Sequence, residues 1–251
     1  MSGDNENPTS ALRQSHQHIL IVVAAPAEAT AILGIEDLPA QLAGSWVIHP
    51  IDPRTDLLLT GVGKANASAG LAKTFDADRH RVVLSLGIGG STDSEVLPIG
   101  AAALARRSLY ADEGLRTADA WRPLGLLGFP PSEAGDDGVP GHAGLAGLLG
   151  PMVDAEADIA TVSSCSGTDE LSARLVRETG AGVEAMEGAA VGHTLCRLLG
   201  TGRPPFAEIR VISNRTGDRE KQGWDLPRAL DRLAEIGRGV REKADELIAA
   251  V

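Results

Sequence analysis

Ile19-Leu20-Ile21-Val22-Val23-Ala24 is a short, continuous run of apolar, largely β-branched residues. Such a run is typical of a strand whose two faces are both covered, as in a parallel sheet. Pro26 follows at once and favours the first turn of a helix, which we expect to continue through Glu28 and Ala31. The stretch therefore predicts a buried strand followed by a helix, the repeating unit of α/β folds.

The same alternation recurs along the rest of the chain. Further strands are predicted at residues 56–60, 81–86, 101–109, 159–164, 183 and 206–213, and further helices at 65–73, 168–176, 187–199 and 226–250. Residues 111–151 are rich in Gly and Pro, which indicates loops with short elements. We predict an α/β fold with one domain over residues 19–251, a three-layer αβα sandwich around a central twisted, mixed β-sheet. The polar residues 1–18 are expected to form a disordered tail.

The composition narrows the class of protein. The net charge of -11 argues against a nucleic-acid partner, because a phosphate backbone would be repelled. No apolar run approaches the roughly 20 residues that span a bilayer, and the polar start lacks a signal-peptide segment. Cys165 and Cys196 have no metal-like spacing and are expected to be reduced packing residues. We therefore expect a cytoplasmic protein with no membrane partner, no metal and no cofactor.

Segments at the carboxyl ends of strands are where α/β sheets bind ligands, and five of them carry suggestive residues. They contain Glu28, Gly61-Val62-Gly63-Lys64, Gly87-Ile88-Gly89-Gly90, Met186-Glu187 and Ser213-Asn214-Arg215. Each has a plain structural interpretation as well: a tight turn for the glycines, a favourable helix N-terminus for the carboxylates, and a turn amide for the asparagine. Neither glycine segment has the spacing of a P-loop or a dinucleotide fingerprint. His193, inside a helix, is interpreted as a packed or surface residue.

Taken in order, these segments resemble a known superfamily. Val183-Glu184-Ala185-Met186-Glu187-Gly188-Ala189-Ala190, the later Ile212-Ser213-Asn214 and the two glycine segments are similar to the motifs of the purine nucleoside phosphorylases and methylthioadenosine/adenosylhomocysteine nucleosidases. The resemblance extends over about residues 19–251. It implies a small-molecule nucleoside substrate and assembly into homodimers or higher homo-oligomers.

The resemblance also assigns expected roles to the candidate site residues. These are water activation for Glu28, ribose binding for Met186 and Glu187, backbone contacts to the base for Ile88 and Gly89, and a place beside the leaving purine for Ser213 and Asn214. Catalysis is thereby expected to depend on Glu28, Glu187 and Asn214. The role of Glu184 stays open, because Ala185 separates it from Met186 whereas many relatives have a contiguous Glu-Met-Glu.

The first of these segments distinguishes hydrolysis from phosphorolysis. A phosphorylase needs cationic groups around its phosphate, commonly arginines on the first loops. The segment Ala24-Ala25-Pro26-Ala27-Glu28 has no cation, and its carboxylate would repel phosphate. The sequence therefore favours a hydrolase.

Asn214 indicates the leaving group. Adenine-cleaving relatives have an aspartic acid there, which can protonate the base, whereas an asparagine NH2 can donate to N7 and O6 of a 6-oxopurine. The residues 161–168 and 213–217 look like the futalosine hydrolase subfamily, which implies release of hypoxanthine and dehypoxanthine futalosine from futalosine in menaquinone biosynthesis. Futalosine carries a benzoate, for which Arg215 is one candidate partner and a surface salt bridge its alternative role. An adenine-releasing nucleosidase and a non-catalytic nucleoside-binding protein stay open as alternatives.

Overall fold

The expected alternation of strands and helices is found in the computed structural model, which describes residues 17–40, 42, 46–133 and 137–251. The strands are β1 His18–Val23, β2 His49–Asp52, β3 Thr55–Leu59, β4 His80–Ser91, β5 Ala102–Tyr110, β6 Gly114–Arg116, β7 Trp121–Pro123, β8 Gly138–Pro140, β9 Ala155–Thr161, β10 Val183–Ala185 and β11 Phe206–Arg215. The helices are α1 Pro26–Leu33, α2 Lys64–Thr74, α3 Ala143–Leu149, α4 Asp169–Thr179, α5 Gly188–Leu199, α6 Leu226–Glu242 and α7 Ala244–Ala249. Residues 1–16 of the expected tail lie outside the described residues, and His18 is the first residue of β1.

Nine of the described strands form one mixed sheet. Its order is β10-β9-β5-β11-β4-β1-β3-β2, with β8 paired to β5. β1 is parallel to both of its neighbours, with Ile21 opposite Leu57 on one side and Leu84 on the other. β11 is parallel to β4 and antiparallel to β5. The carboxyl ends of β1, β3, β4 and β11 therefore meet at one edge of the sheet.

Apolar residues of β1 point alternately to the two faces of the sheet, as expected for a strand covered on both sides. Ile19 and Ile21 pack in a core cluster that contains residues of α1, α3, α6 and α7. Leu20 and Val22 pack in a second cluster with residues of α2 and α5. The molecule is thus the three-layer αβα sandwich that the sequence predicts.

The segment Gly87–Gly90 was predicted as a loop, and this is wrong, because it forms the second half of β4. Gly90 lies opposite Asn214 of β11 on one side and opposite Glu184 of β10 on the other. A Cβ on Gly89 would lie 2.9 Å from Val183 Cγ1 and 3.0 Å from the Glu184 carbonyl oxygen. The glycines therefore allow β10 and β11 to close around the end of β4, where a turn was expected.

Two other boundaries need correction. The last helix, predicted as one helix over 226–250, is divided at Lys243 into α6 and α7. Asn214, predicted to follow its strand, lies inside β11 just after a register shift between Ile212 and Asn214. The Gly- and Pro-rich middle contains short elements, as expected. Within the described ranges, every helix is too short or too polar to cross a bilayer.

A buried ion cluster ties together the amino ends of β1, β3 and β4. The Asp56 carboxylate accepts hydrogen bonds from Arg79 Nε at 2.6 Å and Nη2 at 2.8 Å. It also lies 3.2 Å from His80 Nε2 and 3.3 Å from His18 Nδ1. Burial alone would raise the pKa of Asp56, but hydrogen bonds from Arg79 and His80 and the nearby His18 outweigh it and hold the pKa well below its usual value.

We expect Asp56→Asn to lower the free energy of unfolding by about 2 kcal/mol at neutral pH, because it removes the buried carboxylate that accepts two charged hydrogen bonds from Arg79. Since the folded-state pKa is depressed, this contribution is present above the ordinary carboxyl pKa of about 4 and is lost as the pH falls below it. Urea unfolding of both proteins between neutral pH and pH of about 3 measures the difference, which should shrink in acid. The control is Asp245→Asn, which removes an exposed partner of Arg54 and should change little. Equal effects of the two substitutions would contradict a structural role for the cluster.

Candidate functional site

The carboxyl ends of the central strands open into a cavity of about 320 Å³. Seven of the eight predicted site residues line it, namely Glu28, Ile88, Gly89, Met186, Glu187, Ser213 and Asn214. Arg215 is the exception: it is exposed and lies outside the lining. The parallel strand ends thus bring together residues that are far apart in the sequence.

Glu28 is held in the cavity by three backbone N–H groups. Its Oε2 accepts from Ala24 at 2.9 Å and Ala25 at 2.8 Å, as expected for a glutamate in the first turn of a helix. Its Oε1 accepts from Ile88 at 2.9 Å, which connects α1 to β4. Burial raises the pKa of Glu28, although the charge of Arg210 and the backbone donors partly offset it. The carboxylate is therefore more basic than an exposed glutamate.

Glu187 occupies the N-cap position of α5, but its side chain does not cap the helix. Instead, its Oε1 accepts from the backbone N–H of Gly63 at 2.9 Å, and its Oε2 lies 3.4 Å from Arg210 Nη2. Glu187 thus lies at a helix N-terminus, and its carboxylate also has partners outside that helix. These two contacts hold the Glu187 carboxylate between the start of α2 and the buried Arg210.

Arg210 pairs with Glu187 and acts on Glu28 through its charge, and the sequence-based prediction did not include it. The residue is 1% exposed, its Nε donates to Glu208 Oε1 at 2.7 Å, and its Nη2 donates to Ser85 Oγ at 3.1 Å. Burial alone would lower the pKa of Arg210, but the charges of Glu208, Glu187 and Glu28 outweigh it and keep the guanidinium protonated. The sequence did contain a signal for this cluster. Glu208 and Arg210 occupy alternate positions of a largely apolar strand, which places both side chains on one face of the sheet.

Two glycines leave the space that this cluster occupies. A Cβ on Gly87 would overlap Arg210 Nη1 and lie 2.5 Å from Glu28 Oε1. A Cβ on Gly188, at the start of α5, would overlap the Glu208 carboxylate. Both positions therefore exclude any side chain while the cluster keeps this geometry.

Asn214 presents a hydrogen-bond donor to the cavity. Its Nδ2 donates to the carbonyl oxygen of Arg215 at 2.8 Å, and its Oδ1 accepts from Ser213 Oγ at 2.9 Å. A carbonyl oxygen can only accept, so this contact fixes which end of the amide is nitrogen. One N–H of the amide is left for a ligand, while the oxygen already has a partner.

Glu184, whose role the sequence left open, also lines the cavity. Its Oε1 accepts from the backbone N–H of Ser166 at 2.6 Å and its Oε2 from Ser166 Oγ at 2.6 Å. Glu184 therefore anchors the segment that follows β9 to β10. It is a buried structural carboxylate at the wall of the site.

Three further lining residues, Arg219, Gln222 and Trp224, come from the segment after β11. Two backbone bonds fold this segment back: Arg215 N–H donates to the Gln222 carbonyl at 2.9 Å, and Asp225 N–H donates to the Ser213 carbonyl at 2.9 Å. These residues were not predicted as site residues, because no strand or helix pattern places them at the site. Trp224 is the aromatic residue of the described lining.

Two other residues have structural explanations. Burial and the neighbouring Glu184 carboxylate raise the pKa of the Cys165 thiol to about 11, so this lining residue is a protonated thiol at neutral pH and a poor nucleophile. His193 Nδ1 lies 3.2 Å from Tyr110 Oη, with the two rings in edge contact, as expected for a packed histidine.

The chain matches the model of the phosphorylase superfamily over residues 19–242. It is 33% identical to a futalosine hydrolase of Acidothermus cellulolyticus, with 85% of this chain and 86% of the relative covered. It is 30% identical to a futalosine hydrolase of Streptomyces coelicolor, with 87% and 92% covered. The solved structure of futalosine hydrolase of Helicobacter pylori strain 26695 superposes with a TM-score of 0.67 at 22% identity, covering 92% of this chain and 98% of that one.

The crowding around Gly87 leads to a stability prediction. Gly87→Ala should lower the free energy of unfolding by about 1–3 kcal/mol, because the added methyl group forces the buried guanidinium and carboxylate apart. The control is Gly147→Ala in α3, where a Cβ meets nothing within 4 Å and should stabilise the helix by about 0.5–1 kcal/mol. Chemical denaturation of both variants measures the effect. A stabilised Gly87→Ala protein would show that the cluster is not packed as described.

Proposed function

The chain belongs to the phosphorylase superfamily and, within it, to the futalosine hydrolase family, and on this premise we propose that it is an N-glycosyl hydrolase that releases hypoxanthine from futalosine. The other product is dehypoxanthine futalosine, and the reaction belongs to the futalosine route of menaquinone biosynthesis. The proposal includes a cytoplasmic location and a homodimer or higher homo-oligomer, as the sequence leads us to expect.

The charge of the cavity is the observation that carries the proposal. Its described lining contains three carboxylates, Glu28, Glu184 and Glu187, and one cation, Arg219. Two like unit charges 5 Å apart repel by about 3 kcal/mol at an effective dielectric constant of about 20. A phosphate nucleophile carries up to two such charges and would be expelled from the neighbourhood of these carboxylates. Neutral water is the nucleophile that fits.

Cleavage of an N-glycosidic bond develops positive charge on the ribose ring and negative charge on the departing base. Glu28 Oε1 accepts one backbone N–H and so keeps a lone pair that could accept a water O–H. With its raised pKa, Glu28 would act as the base that activates this water. Glu187 would accept from the ribose hydroxyls and oppose the positive ring. Arg210 holds Glu187 in place from behind.

The amide of Asn214 supports a 6-oxopurine as leaving group. Its free N–H can donate to N7 or O6 of hypoxanthine, and both of those atoms are acceptors. Adenine carries an amino donor at position 6 in place of the oxygen, so an amide N–H directed at that position would meet another donor. Hypoxanthine also leaves more readily as an anion, which lessens the need for an acid beside it.

The proposal is tested by chromatography of the purified protein incubated with futalosine, inosine, methylthioadenosine and aminofutalosine, each with and without phosphate. We expect hypoxanthine from futalosine at the same rate in both conditions. Adenine release would favour the adenine-cleaving alternative, release only with phosphate would make the protein a phosphorylase, and no release would leave a nucleoside-binding protein. The matched variant is Glu28→Gln, which should lower hydrolysis by about 100- to 10,000-fold while nucleoside binding persists.

The control for that variant is Glu36→Gln, which removes an exposed carboxylate a short distance after the same helix. Because the amide introduced by Glu28→Gln would face one backbone N–H with its own NH2, thermal unfolding is measured alongside to separate loss of structure from loss of chemistry. Full activity of a folded Glu28→Gln protein would remove Glu28 from water activation.

Asn214→Asp should lower the rate of hypoxanthine release by about tenfold or more and introduce adenine release. The oxygen that replaces Nδ2 faces the Arg215 carbonyl, which can only accept, so the new carboxyl group is favoured in its protonated form and can act as an acid. Product analysis with futalosine and aminofutalosine measures the ratio. An unchanged ratio would show that residue 214 does not select the base.

A further inference from the structure

We propose that Arg219 is the residue that recognises the substrate's benzoate, by pairing its guanidinium with the carboxylate on the open side of the cavity. This inference rests on the proposed function, since it concerns the charged group at the end of the substrate remote from the purine. Arg215, the candidate for this role from the sequence, lies outside the cavity lining.

Arg219 has the charge and the availability that the role needs. Of the lining residues that the structure describes, it is the positively charged one. Two lysines of the described chain are already paired with carboxylates: Lys221 with Asp218 at 2.7 Å, and Lys64 with Asp112 and Glu113. Within the described part of the chain, Arg219 contacts an amide and an aromatic ring and no carboxylate.

The guanidinium of Arg219 is held in place by Gln222 and Trp224, which we call the solvent-side frame. Its Nη1 donates to Gln222 Oε1 at 3.0 Å, and its Cζ lies 5.0 Å from the centre of the Trp224 ring. Trp224 Nε1 donates to the same Gln222 oxygen at 2.8 Å. One neutral oxygen therefore orients both side chains, and the other N–H groups of the guanidinium are left for an anion.

The side chain of Gln222 is itself fixed by hydrogen bonds to backbone carbonyl groups. It is buried, and its Nε2 donates to the carbonyl oxygens of Ser166 at 3.1 Å and Gly217 at 2.9 Å. Ser166 is in turn held by the Glu184 carboxylate. The frame is thus connected to the wall of the cavity, so little side-chain freedom is lost when an anion binds.

The distribution of charge within the cavity specifies the orientation of the ligand. Glu28 and Glu187, which are nearly fully buried, would repel a carboxylate from the inner end. Arg219 and the half-exposed Trp224 lie on the solvent side. A nucleoside with an anionic aromatic group would therefore enter purine and ribose first and leave its carboxylate beside Arg219.

The test compares the acid with its neutral ester in the presence and absence of the guanidinium. Kinetics are measured for futalosine and for its benzoate methyl ester, with wild-type protein and Arg219→Gln. We expect the variant to lose about tenfold in kcat/KM for the acid, mostly through KM, and to match wild type on the ester. Arg219→Lys should keep part of the preference for the acid, because it retains the charge without the planar fork.

Binding of dehypoxanthine futalosine and its methyl ester, measured by calorimetry, provides a readout that needs no turnover. We expect the wild-type protein to bind the acid more tightly than the ester, and Arg219→Gln to lose this preference. That result supports the inference even if futalosine is not hydrolysed, so the two proposals can fail separately. The control is Arg215→Gln, the exposed neighbour outside the lining, which should preserve the preference. Equal loss for acid and ester in Arg219→Gln, or loss of preference in Arg215→Gln alone, would overturn it.

Discussion

The burial of Arg210 is the constraint on which the rest of the site depends. A guanidinium taken out of water costs several kcal/mol unless hydrogen bonds and opposite charges replace its hydration. Glu208, Glu187 and Ser85 supply those partners. These side chains also need space. A Cβ at residue 188 would overlap the Glu208 carboxylate and one at residue 87 would overlap the guanidinium, which explains the glycines Gly188 and Gly87. The site is therefore built outward from one charge in the middle of the sheet.

This arrangement also gives the cavity its chemical character. Glu28, Glu187 and Glu208 surround one guanidinium, so carboxylates outnumber cations at the inner end. An environment of this kind stabilises positive charge that develops during a reaction and disfavours anionic nucleophiles, without any reorganisation at the moment of reaction. It fits attack of water on a ribose ring that becomes cationic. The same interactions that allow an arginine to be buried thus favour hydrolysis over phosphorolysis.

The sequence predicts the parts of this molecule that follow from local patterns. The buried runs gave the strands and the three-layer sandwich, and Glu28, Glu187 and Asn214 could be placed together because strand ends converge in such sheets. Gly87–Gly90 was mistaken for a loop because a glycine-rich segment that permits close strand contact has the same composition as a turn. Arg210 and Glu208 were overlooked because a charge in a strand is usually solvent-facing, and only the tertiary structure shows that this face is covered. Arg219, Gln222 and Trp224 follow no periodicity, so their position depends on two backbone bonds that the sequence does not reveal.

The charged groups at the two ends of the cavity differ in burial and in screening by solvent, and this difference affects substrate selectivity. At the inner end, carboxylates are buried and held by backbone donors and Arg210, so their contribution is strong and weakly screened by salt. At the solvent side, Arg219 is exposed, and its attraction for an anion is moderated by water. Such an outer contact adds selection among nucleosides without holding the products so tightly that release is slowed. A neutral nucleoside would meet the same inner carboxylates but would lack the contact with Arg219. Discrimination between substrates would therefore come from the solvent-side frame. Catalysis would depend on the buried carboxylates around Arg210.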